Sequence, residues 1–177
     1  NDRVRALAFT LPAGHNYSLD NVILRLRNLR IVSPIDIPLV QIRNDGGINP
    51  GSTVLASFTN PTPQGVGVFN YTFTPTSPFT FAAVTKYWLY VISTSGSFDW
   101  RASSTNQTPT GIATSSGSRF SNDSGASFNN SSIFNSFQIN ATEITGPVAR
   151  TPEPSAIAAL SLFGLGLLGV KGRRNKG

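Results

Sequence analysis

Groups able to do chemistry are few and scattered in this sequence. The single histidine, His15, sits in a Gly14-His15-Asn16 turn, where a solvated loop residue is expected rather than a base. No Ser or Asp pattern marks a triad around it. The acids Asp2, Asp20, Asp36, Asp45, Asp99, Asp123 and Glu143 are spread singly, and their spacing favours no general acid/base pair. Asp45-Gly46-Gly47 has the look of a calcium loop, but further carboxylates at EF-hand spacing are missing. The absence of cysteine excludes disulfides, zinc thiolates and a Cys nucleophile. No catalytic residue, metal site or cofactor is therefore expected, and the chain reads as a non-enzyme.

Aromatic residues make a better case for binding. Tyr87, Trp88, Tyr90, Phe98 and Trp100 lie on two neighbouring candidate strands. Rings on an outer face can stack on sugars, with Asp99, Arg101 and Asn106 supplying hydrogen bonds. Trp100, Asp99, Arg101 and Trp88 are the candidate glycan-binding set. Core packing competes for these rings, because large aromatics dominate the interiors of β-proteins. Trp88 fits the core better. Trp100, flanked by charged Asp99 and Arg101, stands on a strand with a wet face.

The elements that must position these residues read as short strands. Only 12% of residues are charged, about half the usual share, and Ser, Thr, Asn, Gly and Pro take their place. Asp20–Val32 alternates Val22, Leu24 and Leu26 on one face with Arg25 and Arg27 on the other, a period of two. Val4–Thr10, Ile37–Arg43, Thr53–Thr59, Val66–Thr74 and Lys86–Thr94 follow as strands. Pro38 marks a strand start or an edge. Phe69, Tyr71 and Phe73 share a face, while Lys86–Thr94 carries bulk on both faces, as a central strand does. Ser97–Ser103 is expected to pair with it through Ser95-Gly96. Thr105–Ser132 is polar and too long for an ordinary connection, so it is either a surface loop or a pair of weak edge strands. Ile133–Ile144 is a final strand with Phe137, Ile139 and Ala141 inward. The expected fold is all-β: an antiparallel β-sandwich or jelly roll.

Half of the formal charge of +6 sits in residues 151–177. Lys171, Arg173, Arg174 and Lys176 follow an apolar run, Ala156–Val170, while the remaining cations are dispersed with no basic run. Nucleic-acid binding is not expected. As a helix, Ala156–Val170 would cover roughly 22 Å, short of the roughly 30 Å hydrocarbon core. Its Gly164, Gly166 and Gly169 suit close helix packing in a membrane, and the cations can snorkel to lengthen the span. The positive-inside rule puts the basic end in the cytoplasm and the body outside. The expected organisation is an exported β-domain over 1–145, a linker over 146–155, a transmembrane helix over 156–170 and a basic cytoplasmic tail over 171–177. The N-terminal stretch has no apolar signal region, so a removed or missing signal peptide is expected.

Pro152-Glu153-Pro154, the short Leu/Gly-rich run and the Lys171/Arg173/Arg174 cluster, in that order, resemble the PEP-CTERM sorting signal of Gram-negative bacteria. The resemblance implies a substrate of exosortase, a membrane transpeptidase, with transient inner-membrane anchoring and then a place at the cell surface or in a matrix. It also implies an exopolysaccharide and biofilm setting. In the body, Tyr17–Asn28, Val40–Pro61, Phe79–Val91 and Phe98–Ser103 together resemble the choice-of-anchor R domain, an exported β-module joined to differing sorting signals. That resemblance implies an architecture and an address, not a reaction.

Overall fold

The computed structural model describes residues 3–33, 35–103 and 110–145. The chain divides into two compact units, Asn1–Ile144 and Thr145–Gly177. Pro152, Glu153, Pro154, Asn106, the 156–170 run and the cations Lys171, Arg173, Arg174 and Lys176 lie outside the described residues. Among the described residues there is no helix, and so none long and apolar enough to cross a membrane.

The body is all-β, and every pairing is antiparallel. The longer strands are β1 (Val4–Thr10), β2 (Asn16–Leu29), β3 (Ile37–Asp45), β4 (Pro50–Thr59) and β5 (Gly65–Pro75), with β7 (Lys86–Ser95), β10 (Thr114–Ser121) and β13 (Phe137–Ile144) beyond them. Two-residue strands lie between these: β6 (Thr80–Phe81), β8 (Asp99–Trp100), β9 (Ala102–Ser103), β11 (Asn129–Asn130) and β12 (Phe134–Asn135). Hydrogen bonding runs in the order β11-β10-β1-β7-β3-β4-β5-β2-β13, with β6 and β8 also on β2 and a separate β12-β9 pair. The β4–β5 link is short: Phe58 and Thr59 pair with Pro75 and Thr74.

Side-chain size explains the centre of this order. β7 lies between β1 and β3 and is buried on both faces. Tyr87, Leu89 and Val91 join one core cluster, which also takes Phe9, Ile42, Leu24, Leu26, Tyr71 and Phe73. Trp88 and Tyr90 point the other way, into a second cluster with Val4, Ala6 and Ala8. Small residues on β1 leave the room that the Trp88 indole fills. Around Phe81, edge-on ring pairs with Phe9, Phe79 and Tyr87 have centroids 5.6, 5.0 and 5.1 Å apart. That is the favoured aromatic geometry.

Two bulges let one strand keep a long apolar face. On β2, Asn21 pairs with Asn140 and Leu19 with Ala141, so Asp20 is the extra residue. The parity change brings Tyr17 and Leu19 into the same core as Val22, Leu24 and Leu26. A second irregularity, at Asn28, restores Leu29 to the core. Asn28 takes a left-handed φ of 57° there, which Asn tolerates better than most residues.

Two expectations need correction. Ser97–Ser103 does not fold back on β7; Trp100 and Asp99 pair with Leu26 and Arg27 of β2. Ala141 is exposed, beyond the point where β13 changes register. Of the two readings of the polar stretch, the pair of edge strands is the one that forms: Thr114–Ser121 is β10, which covers the free edge of β1, and Asn129–Asn130 is β11, paired to β10. Pro38 stands at the second position of an interior strand, next to a register shift, so the strand-start reading holds and the edge reading does not.

Candidate functional site

Three segments distant in sequence interlock around Trp100. The Arg101 N–H donates to the Arg25 carbonyl at 2.9 Å, and the Ser136 N–H donates to the Arg101 carbonyl at 2.8 Å. The Ser136 carbonyl in turn accepts the Trp100 indole N–H at 2.8 Å. Asn135 Nδ2 donates to the Trp100 carbonyl at 3.2 Å. β2, β8 and the start of β13 are thereby tied at one place.

The interlock brings Asp99, Trp100 and Arg101 together but not Trp88. Trp88 is 1% exposed in the second cluster, and its indole N–H donates to Asp45 Oδ1 at 3.0 Å. It presents no face to a sugar. Trp100 is half-buried against the main core. Asp99 is engaged by Arg27, whose Nε and Nη2 reach one carboxylate oxygen at 2.9 and 2.7 Å. Arg101 is exposed and lines a cleft of about 1120 Å³. Residues of β10 and β13 also line that cleft.

Sequence reasoning missed Arg25, Asn135 and Gln138, which line the same cleft. Arg25 was visible as a wet-face residue, but its neighbour across the sheet was not, because that depends on β8 choosing β2. Among the described residues the charged members of the lining are Arg25 and Arg101, and no described carboxylate joins them. Neither guanidinium has a hydrogen-bond or ion-pair partner among the described residues. Asn135 is 8% exposed, and its Oδ1 has no donor.

The described acids are otherwise employed. Asp20 accepts from Thr142, and Glu143 lies 3.1 Å from His15 Nδ1. Asp36 is buried and accepts from the backbone N–H groups of Arg30 and Ser97, both at 2.7 Å, and from the Arg30 side chain. Burial pushes its pKa up, but these bonds outweigh it and hold the pKa below the usual carboxylate range. Asp45 behaves the same way: burial opposes, while Trp88 and Lys86 prevail, lowering the pKa. On the outer face Arg43 lies 3.5 Å from the Tyr90 ring centre. That stacking covers the ring and belongs to packing.

Asp123 organises the turn after β10. Its carboxylate accepts from the Ser121 and Ser127 hydroxyls, each at 2.5 Å, and from the Ser127 N–H at 3.0 Å. These bonds bring its pKa down to about 2. The folded value lies below the unfolded one of about 3.9. Its stabilisation is therefore complete above about pH 4 and lost as pH falls toward 2. Asp36 and Asp45, also lowered, add to the same acid decline. We expect Asp123→Asn to flatten the fall in urea midpoint across that interval. An unchanged pH profile would show that the turn does not report on folding.

Residues 150–175 match a family model described as the PEP-CTERM protein-sorting motif. No curated protein and no solved structure matches this chain.

Proposed function

We propose that this chain is an exported, non-enzymatic surface or matrix protein, sorted through its C-terminal signal and processed by an exosortase. The observation that carries this is the sorting-motif match over 150–175, which spans Pro152-Glu153-Pro154, the apolar run and the basic cluster. In this reading the body over 1–145 stands outside the inner membrane, 146–155 is the linker, 156–170 spans and 171–177 stays in the cytoplasm. A short span suits a temporary anchor. It holds the triplet at the membrane surface, where the prolines keep the backbone extended for a protease. The body is a choice-of-anchor R-like β-sandwich of jelly-roll kind; a single core shared by strands from both ends of the hydrogen-bonding order supports this. The engagement of each described acid in a structural contact supports a non-enzymatic role.

A second reading makes the body a carbohydrate-binding module for exopolysaccharide in a biofilm, and the cleft beside Trp100 favours it. A glycan-active enzyme is the weaker alternative, because no carboxylate lines that cleft. Mass spectrometry of the mature C-terminus tests the sorting claim. Cells containing exosortase should yield a chain ending near Pro152–Pro154, and cells lacking it should retain the tail. Equal mass and equal release in both strains would overturn the proposal.

A further inference from the structure

We propose that the cleft lined by β10 and β13 binds an acidic polysaccharide, with Arg25 and Arg101 pairing to the carboxylates of uronate sugars. This rests on the glycan-binding reading above and adds the charge class of the ligand. Arg25 and Arg101 are backbone partners, the N–H of one on the carbonyl of the other at 2.9 Å. Two exposed cations thus sit side by side in a cleft with no carboxylate in its lining. Two other arginines of the body have carboxylate partners, Arg27 with Asp99 and Arg30 with Asp36. Paired guanidinium forks without a counter-ion match carboxylates, which they grip with two parallel bonds.

The rest of the lining favours a sugar over another anion. Phe137 and Ile139 provide apolar surface, while Gln138 and Asn140 provide donors and acceptors for hydroxyls. A nucleic-acid backbone needs a longer row of cations to track it than these two. A polyuronate carries one carboxylate per sugar and asks for no more.

The test uses the full chain in non-ionic detergent, with retention measured on polygalacturonate, dextran and duplex DNA. Polygalacturonate should be retained, dextran and DNA much less so. Arg25→Gln and Arg101→Gln should each weaken retention about tenfold, as loss of a charge-assisted bond does. Arg3→Gln, which removes an equal charge elsewhere, should leave it nearly unchanged. Thermal melts of each variant establish that the fold is intact. Equal retention of dextran, tighter retention of DNA, or unchanged binding by the double variant would overturn the acidic class. Failure to retain either glycan would overturn the glycan-binding reading itself, leaving the sorting claim to its own experiment.

Discussion

Replacing Trp88 with alanine is expected to lower the melting temperature by roughly 10 °C. The indole is 1% exposed and fills the second cluster against Val4, Ala6 and Ala8. Trp→Ala in a core costs about 3–5 kcal/mol, and each kcal/mol moves the midpoint of a domain this size by about 2–4 °C. The loss has a second part. Asp45 keeps Lys86 at 3.0 Å but loses the indole N–H. Trp88→Phe, which refills most of the space without the donor, should fall between wild type and alanine. A melt of the alanine variant within 2 °C of wild type would show that the second cluster is not part of the cooperative core.

Asp36→Ala should be nearly as costly, at about 3 kcal/mol, because the backbone donors it satisfies are left without an acceptor. The carboxylate joins two loops: it fixes Arg30 at the end of β2 and Ser97 after β7. Without it, two backbone N–H groups lose their acceptor. Gly96 belongs to the same knot, because its φ is +63° and a Cβ there would lie 1.9 Å from Asp36 Oδ1. Asp99→Ala is the informative control. It removes an acid that also pairs with an arginine, but one whose side chain is 57% exposed, so its cost should stay within about 1 kcal/mol. Urea midpoints for the pair measure the contrast. Equal losses would mean that burial of Asp36 is not what makes it matter.

Periodicity identified what depends on neighbours along the chain. The shared face of Phe69, Tyr71 and Phe73 and the two-sided bulk of Lys86–Thr94 follow from side chains alternating every residue. Partner choice was less legible. Ser95-Gly96 invites a hairpin, yet Asp36 captures the Ser97 N–H and the chain crosses to β2 instead. Thr114–Ser121 is Ser- and Gly-rich, so its strand state comes from the edge that β1 offers rather than from propensity. Val84 shows the same limit locally. It adopts φ 55° while 70% exposed. Hydrogen bonds from Ala82, Ala83 and Val84 to Tyr87, Asn16 and Pro12 hold that loop. At the candidate site, Trp100 and Arg101 stood out by residue type. Arg25 and Asn135 entered only through tertiary pairing, which no local pattern encodes.

The position of β1 has a consequence for how the body is made. Its neighbours are β7 and β10, so a chain delivered N-terminus first leaves Val4–Thr10 without a partner until β7 has emerged, and without its second until Ser121 has. β2 waits longer still for β13. Most of the body must be present before either strand is paired on both sides, and such non-local closure is slow, on the order of milliseconds to seconds. During that wait the apolar segments at the front of the chain are exposed to one another and to other copies. An unfinished molecule is therefore the aggregation-prone form, and a holding chaperone would act on the waiting strands β1 and β2.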